Sequence, residues 1–261
     1  MPTPTHATPT AADIIQYMQS QRNDKQRQIL MRFFKTAKGQ YGEGDQFLGL
    51  RVPQTRQVAR HAHDLPTDEI PTLLHSPWHE VRLCGLLLLV AQFERAATKR
   101  LINDPDAMQR RDTLTHFYLA HADSANNWDL VDLSAPTILG HWLMLPSFVS
   151  DKRALVDALA HSPNLWRQRI SMVCTWKTLQ MGDPSWCLRY AEIHLHHSHD
   201  LMHKAVGWML REMGKRVSID LLRDFLRRHA HHMPRTTLRY AIEHLSPDER
   251  QQWMQQSCAK C

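Results

Sequence analysis

The stretch SPNLWRQRISMVCTWKTL, from Ser162 to Leu179, indicates the fold class because its pattern recurs along the chain. A short polar or proline-bearing break leads into a helical segment, which carries a basic residue early and a long apolar stripe after it. The clearest other copies are HSPWHEVRLCGLLLLV (75–90), HDLMHKAVGWMLREMG (199–214) and MPRTTLRYAIEHL (233–245). Only 9 of the 261 residues are glycine, although sheet-rich folds use glycine in many turns and bulges. The sequence therefore predicts an all-α fold.

The spacing of the copies predicts how these helices are arranged. Arg169, Lys204 and Arg239 recur at intervals of 35 residues, and Asp132 stands 37 residues before Arg169; we call these four the ladder residues. Arg82 lies a further 50 residues upstream. A period in the mid-thirties with two helices per repeat is typical of α-solenoids. The consensus of tetratricopeptide repeats is absent, so we expect a curved α-solenoid of HEAT-like repeats. A generic helical bundle with accidental spacing is the alternative.

The charge balance indicates the kind of partner. Lys and Arg total 32 against 26 Asp and Glu, which gives a net charge of +6. A basic surface favours an anionic partner, most often nucleic acid, although many ordinary soluble proteins are also basic. In a solenoid the ladder residues would line a concave basic groove suited to DNA. We expect Arg82 to contact DNA as well, together with Lys35 and Lys38 of the glycine-bearing loop KTAKGQYGEGD (35–45).

The ends of the chain differ in composition from its centre. Residues 1–11 are rich in proline and threonine and are expected to be a disordered tail. Residues 12–250 are expected to form a single repeat domain, and 251–261 a second tail. No secretory signal is present, and the longest apolar run, GLLLLVAQF from Gly85, is too short to span a membrane. These features predict a cytoplasmic protein of the bacterial cytosol or nucleoid.

The five cysteines give little support for a metal site. Cys84, Cys174 and Cys187 stand in apolar helical surroundings, where a cysteine acts as a small buried apolar side chain in a reducing compartment. Cys258 and Cys261 form a single C-x-x-C at the C-terminus, and a lone pair of this kind is weak evidence for zinc.

The histidine run HLHHSHDLMH, from His194 to His203, permits a metal reading, which we do not favour. His199 and His203 are four residues apart, a spacing that can chelate zinc on a helix. The run nevertheless crosses a break between helices, and no cysteine or glutamate completes a known zinc motif. We expect histidines that are solvated or contact phosphate, and neither a metal nor a cofactor.

Two pairs of residues carry side chains suited to chemistry. Trp128 and Asp132 are four residues apart, as are Lys204 and Trp208, so each pair shares one face of a helix. Indole rings offer flat surfaces to a sugar or base. A carboxylate among cations repels phosphate, so it would be retained if it met developing positive charge. The alternative is that the tryptophans pack in the core and Asp132 pairs with Arg169.

Four motifs in order resemble the DNA alkylation repair enzymes of the AlkD family: FLGLRVP (47–53), NNWDLVD (126–132), LWRQRI (165–170) and HKAVGWMLRE (203–212). The resemblance covers residues 29–245. It implies a monomeric HEAT-like-repeat protein and a monofunctional glycosylase. The substrates it implies are positively charged N3- and N7-alkylated purines in double-stranded DNA. It also implies that the bases stay largely stacked, unlike those handled by most glycosylases.

The resemblance also assigns residues. The catalytic aspartate falls on Asp132, the two active-site tryptophans on Trp128 and Trp208, and the groove arginine on Arg169 rather than Arg167. The most studied branch of the family has a Gln-Thr pair where this chain has Arg51 and Val52, so no lesion contact is carried over there. We expect Arg51 to contact only the DNA backbone.

The implied chemistry is consistent with these residue types. Alkylation makes the purine cationic and hence a good leaving group, while a carboxylate beside C1′ stabilises the sugar cation and orients water. We expect no histidine or second carboxylate of the motifs to act as a general acid. Two other functions remain open, a catalytically silent DNA-binding protein and a HEAT-type adaptor that binds a peptide or protein.

Overall fold

The protein is described by a computed structural model, which covers residues 9–146 and 149–256. Within these ranges the chain consists of helices and turns, and its only β-type pairing is an isolated bridge between Gln46 and Trp78. The all-α fold predicted from the sequence is confirmed. The chain divides into two compact units, residues 1–134 and 135–261. The single domain, the HEAT-like repeats and the curved groove stay predictions.

The first unit contains seven α-helices within its described residues. Short 3₁₀ turns at Thr67–Glu69 and Ala122–Ser124 join some of them. The helices are α1 (Ala11–Ser20), α2 (Asp24–Phe33), α3 (Val52–His61), α4 (Ile70–Leu74), α5 (His79–Ala96), α6 (Pro105–Ala120) and α7 (Trp128–Ser134).

Helix α5 forms the centre of this unit. Most of its residues are buried, including the apolar run from Leu86 to Val90, and α3, α4, α6 and α7 all pack against it. A helix that is apolar around most of its circumference needs partners on every side. This explains why the longest apolar run of the sequence is a core helix and not a membrane span.

A buried carboxylate on α5 positions the segment that leads into α3. Glu80 accepts hydrogen bonds from the backbone N–H groups of Leu48, Gly49 and Leu50, at 2.9, 2.8 and 3.1 Å. Gly49 has a φ of +92°, and a Cβ there would lie 2.1 Å from the carbonyl oxygen of Asn23, so only glycine fits. The motif FLGLRVP is therefore fixed by a side chain that lies 30 residues downstream.

The glycine-bearing segment 35–45 is a series of turns without a helix, as predicted. Lys35 itself has a φ of +51°, an unusual value for a residue with a side chain. The segment ends at Asp45, which is buried.

The second unit begins with a π-helical turn at Pro136–Gly140. Its described residues form nine α-helices, the last of which ends at Gln256. They are α8 (His141–Leu143), α9 (Val149–Ala160), α10 (Leu165–Val173), α11 (Thr175–Gln180), α12 (Ser185–Ile193), α13 (Asp200–Arg216), α14 (Ile219–His229), α15 (Arg235–Ala241) and α16 (Pro247–Gln256).

Helix α13 has the central place in the second unit, where it packs against α10, α11, α12, α14 and α15. The approach to α15 is close because of Gly207. A Cβ at this position would lie 2.5 Å from both the carbonyl oxygen of Thr237 and the Cβ of Tyr240. Glycine thus allows the backbones of the two helices to approach, directly beside Trp208.

Both tails predicted from the sequence are shorter than expected in the described part of the chain. Helix α1 already begins at Ala11, where Thr10 and Asp13 form a capping box and Ala11 donates its N–H to Glu69. At the other end α16 continues to Gln256. Cys258 and Cys261 lie outside the described residues.

The three remaining cysteines, Cys84, Cys174 and Cys187, are free and buried, as predicted. Burial raises the pKa of each of these thiols, so they are unreactive core side chains. No helix in the described ranges combines the length and the apolar character that crossing a membrane requires.

Candidate active site

Helix α7 carries the first pair of candidate residues, Trp128 and Asp132. The helix begins after Asn127, which is fully buried and accepts the N–H of Trp128 on its side-chain oxygen at 2.9 Å. Trp128 and Asp132 are both half-buried, and their spacing of four residues places them on one face of the helix.

Two phenylalanines at the end of α2 support the indole of Trp128. Phe34 is buried and stacks on the indole, with ring centroids 5.5 Å apart and an interplanar angle of 26°. Phe33 meets Trp128 edge to face at 5.9 Å and is 60 % exposed. Because Phe34 covers one face of the indole, any ligand would have to use its other face or its edge. Phe33 extends the apolar surface beside it.

A network of buried charges lies beneath this aromatic cluster. Nδ1 of His79 lies 2.8 Å from an oxygen of Asp45, and its Nε2 lies 2.9 Å from an oxygen of Asp129. Arg82 donates to the other oxygen of Asp45 at 2.5 Å and to the carbonyl of Ser76 at 2.9 Å. The network therefore joins the end of the glycine-bearing segment to α7, one residue from Trp128.

The two carboxylates decide the charge of His79. Burial opposes the charged imidazolium, but hydrogen bonds and attraction from Asp129 and Asp45 outweigh it and raise the pKa of His79 to about 9. Burial also disfavours ionised Asp45, yet His79 and Arg82 hold its pKa below the ordinary value. At neutral pH the site thus contains fully ionised side chains in the protein interior.

Sequence reasoning missed His79, Asp45 and Asp129 as parts of the site. Asp129 is the second carboxylate of NNWDLVD, and its contact with His79 accounts for it without a role as proton donor. Arg82 was expected to contact DNA, and this expectation is wrong. Its side chain is 6 % exposed and paired with Asp45, so it does not present a cation to an external phosphate.

The ladder residues share a position within their helices. Asp132, Arg169, Lys204 and Arg239 are each the fifth residue of a helix, in α7, α10, α13 and α15 respectively. Their exposure differs, since Arg169 is buried, Asp132 and Lys204 are half-buried, and Arg239 is exposed. Arg82 is the fourth residue of α5, and this offset of one residue is consistent with its inward direction.

Arg169 is the ladder residue that departs most from expectation. It is 5 % exposed, and its guanidinium donates to the carbonyl oxygen of Leu201 at 2.6 Å, at the start of α13. Arg167, two residues earlier on α10, is half-buried. The structure therefore makes Arg167 the more accessible of the two arginines, although the family resemblance assigned the groove role to Arg169.

Helix α13 carries the second pair, Lys204 and Trp208. Lys204 forms an ion pair with Asp200, one turn earlier, at 2.8 Å. Trp208 is half-buried and follows Gly207, where α15 approaches closely. As with Trp128, the side chain is partly anchored by packing and partly accessible.

The remaining expected DNA contacts, Lys35, Lys38 and Arg51, are all exposed. The ammonium of Lys35 lies 5.9 Å from the ring centre of Tyr41. Arg51 occupies the position just before α3, where its backbone N–H donates to the side chain of Gln54 at 2.8 Å.

The histidine run is part of the hydrogen-bonded framework of the second unit. His194 is buried, with Nε2 placed 2.8 Å from the hydroxyl of Ser171, and His197 contacts the side chain of Gln168 at 2.7 Å. His199 caps α13 by accepting the N–H of Leu201 at 3.1 Å. Burial and nearby histidines lower the pKa of His194 to about 4. Within the described ranges, no three His, Cys, Asp or Glu side chains are grouped in a way that could hold a metal ion.

Comparison with known proteins adds a family to this geometry. A family model described as DNA alkylation repair enzyme matches residues 14–245, which confirms the resemblance indicated by the four motifs. Among solved structures, a predicted DNA alkylation repair enzyme from Enterococcus faecalis matches with a TM-score of 0.64. It is 13 % identical, and the match covers 87 % of this chain and 97 % of that one. Such low identity shows a shared fold only. No curated protein matches the sequence significantly.

Proposed function

Because this chain belongs to the DNA alkylation repair enzyme family, we propose that it is a monofunctional DNA glycosylase. It would hydrolyse the N-glycosidic bond of cationic N3- and N7-alkylated purines in duplex DNA. The observation that carries the proposal is the pair on α7, where Asp132 shares a helix face with Trp128 and the indole rests on Phe34. A half-buried carboxylate beside an aromatic surface suits a sugar that becomes cationic.

The proposed reaction needs no proton donor for the leaving base. The C1′–N bond breaks, its electron pair moves to the alkylated purine, and the base departs neutral. The deoxyribose acquires oxocarbenium character, which the carboxylate of Asp132 stabilises. Water then adds to C1′ and releases a proton, which leaves an abasic site. Asp129 takes no part in this step because it is paired with His79.

Aromatic side chains hold the sugar–phosphate backbone in this proposal. Trp128 and Trp208 are both half-buried, so each has a fixed indole with an accessible part. Exposed Phe33 widens the apolar surface next to Trp128. Rings of this kind contact the sugar of a lesion without withdrawing the base from the stack, in contrast to enzymes that flip it.

Exposed cations supply the sequence-independent part of binding. Lys35, Lys38, Arg51 and Arg239 are exposed, and Lys204 is half-buried. If about five phosphates are contacted, log K should fall with log salt at a slope of about −4 to −5. We expect the protein to act as a monomer in the cytoplasm and to require no metal.

The test is release of base from duplexes that contain a single lesion, measured under single-turnover conditions. Asp132→Asn should lower the rate for N7-methylguanine by about 10²–10³-fold, since one electrostatic contact in the transition state is lost. Its duplex affinity should be unchanged or higher. Asp68→Asn, at an exposed position in a 3₁₀ turn, is the matched control and should behave as wild type.

The substrate range tests the absence of a proton donor. N7-methylguanine and N3-methyladenine should be released efficiently, whereas uracil and hypoxanthine, which are neutral, should not. Comparable rates on neutral bases, or full activity of folded Asp132→Asn, would overturn the mechanism. A wild type that binds duplex DNA but releases no base would be a silent DNA-binding protein. Binding that is insensitive to salt would favour the protein-binding adaptor.

A further inference from the structure

The hydrogen bonds of His79 define its protonation state. Both ring nitrogens face carboxylate oxygens, Nδ1 that of Asp45 at 2.8 Å and Nε2 that of Asp129 at 2.9 Å. A neutral imidazole has a single N–H, so it would direct a lone pair at one of the two carboxylates. Carboxylates only accept hydrogen bonds when ionised, and this geometry is therefore satisfied by an imidazolium with two N–H groups.

Asp129 depends on this contact. Its other oxygen, Oδ1, is buried and has no hydrogen-bond donor among the described residues. Because burial of an ionised carboxylate without a partner is costly, the N–H of His79 is the principal interaction that retains Asp129 in the interior. Asp129 directly follows Trp128 and stands three residues before Asp132 on α7.

His79 itself is too buried to touch a substrate, with a side chain 2 % exposed. The stacked ring of Phe47 lies 4.5 Å from its own, and that of Phe34 lies 4.8 Å away. Phe34 in turn carries the indole of Trp128. His79 thus acts on the first half of the site by two routes, through the carboxylate of Asp129 and through the ring of Phe34.

We infer that His79 is a positioning residue of this protein. Its imidazolium bridges Asp45, at the end of the glycine-bearing segment, and Asp129 on α7, and so fixes the orientation of Trp128 and Asp132. This inference rests on the proposed function, because it states which residue prepares the catalytic helix for the reaction.

The charges that face His79 are balanced. Asp45 reaches it from the glycine-bearing segment and Asp129 from α7, while Arg82 on its own helix binds the second oxygen of Asp45. Two carboxylates and two cations therefore neutralise one another. Loss of the imidazolium charge would leave Arg82 to compensate Asp45 alone, and Asp129 would lose its donor. The first turn of α7 is the part of the helix that would then move.

The charge of His79 should persist under physiological conditions, since its pKa is raised to about 9. A ¹⁵N-edited NMR spectrum of the full-length wild type should show two protonated ring nitrogens for His79 at about pH 7.5, well below that pKa. The signal should titrate near pH 9. A neutral His79 under these conditions would overturn the inference, and this measurement does not depend on any variant or on activity.

The functional arm compares variants by single-turnover release of N3-methyladenine. His79→Gln is expected to lower the rate roughly 100-fold, as small displacements of catalytic groups do, with duplex affinity essentially unchanged. His79→Arg keeps a permanent charge with several donors. It should recover at least part of the rate, and its rate relative to wild type should rise above pH 9, where wild-type His79 loses its charge. A merely structural histidine would not produce this charge-dependent rescue.

The control is His116→Gln, at an exposed histidine of α6 that pairs with Asp112 at 3.4 Å. It should leave the rate unchanged. If wild type releases base, Asp132→Asn does not, and folded His79→Gln matches wild type, the inference fails while the proposed function stands. If wild type releases no base from any duplex, the proposed function fails, and the positioning role fails with it.

Discussion

His79 in the first unit and His194 in the second are buried to the same extent, with exposures of 2 % and 3 %. Their partners nevertheless differ. His79 lies between two carboxylates, and its pKa is raised to about 9. His194 lies against the hydroxyl of Ser171 with His197 and His161 nearby, and its pKa is lowered to about 4. At neutral pH one ring is charged and the other is neutral.

The comparison shows that the partners, and not the depth of burial, decide the charge of a buried histidine. In the first unit, oppositely charged groups surround α5 and the start of α7, next to the candidate catalytic pair. In the second unit, neutral hydrogen bonds and close helix packing around α13 support Trp208. Perturbed ionisable groups tend to gather at functional sites, so the charged network marks the first unit as the more chemically specialised of the two.

The largest expected effect comes from removing each histidine. His79→Gln should lower the free energy of unfolding by about 3–5 kcal/mol, because it leaves a buried carboxylate without its cation. His194→Gln should cost only about 1–3 kcal/mol, the typical penalty for an unmade buried hydrogen bond. Urea titrations followed by circular dichroism at neutral pH would compare the two variants with wild type. Equal losses would show that the charge of His79 adds nothing to stability.

The pH dependence of the same variants sharpens the contrast. The folded pKa of His79 is raised, so its contribution is complete below pH 6.5 and is lost as pH rises through 9. That of His194 is lowered, so its contribution is complete above pH 6.5 and is lost as pH falls through 4. Each window corresponds to roughly 3 kcal/mol.

Unfolding titrations across this pH range would test both signs. The difference in stability between wild type and His79→Gln should shrink from pH 6.5 to 9. The difference between wild type and His194→Gln should shrink from pH 6.5 to 4. A shift of either window to the opposite side of the ordinary histidine pKa would contradict the assigned charge of that ring.

A smaller effect is expected for the arginines of α10. Arg169→Ala should destabilise the second unit because its buried guanidinium bonds to the backbone of Leu201. Arg167→Ala should instead leave stability nearly unchanged and make the salt slope of duplex binding less steep by about 1, as the loss of one phosphate contact does. Lys204→Ala is the reference, with the same change in slope and a stability loss within about 1 kcal/mol, typical of an exposed ion pair. The reverse result for the two arginines would restore Arg169 as the groove residue.

The helices that carry the ladder residues were predictable because their signals are local. Apolar periodicity and breaks locate α10, α13 and α15, and the interval of 35 residues corresponds to the same fifth position in each helix. The pairs on α7 and α13 follow from a spacing of four. Such patterns lie within one helix, and a single sequence is sufficient to show them.

The charged network was not predictable, since its members are distant in sequence. Asp45 stands 34 residues before His79, and Asp129 stands 50 residues after it. Arg82 shows the corresponding error, because an early basic residue on an apolar helix was assumed to point outward. A difference of one helix position turned it towards Asp45. Whether a cation on such a helix faces solvent or the interior depends on partners that only the folded chain identifies.

The three hydrogen bonds that Glu80 accepts give this protein a site at which its chain can be lengthened. Phe34 is fixed among aromatic rings upstream, Asp45 is tied to His79, and residues 48–50 are tied to Glu80. The turns between them do not set the position of α3. Doubling the length of a loop costs only about 0.6 kcal/mol. Gly39 is exposed, and a Cβ added there would meet no atom within 4 Å. A reporter peptide inserted at Gly39 should therefore leave α5 and α7 in place and provide a handle for following this protein on DNA.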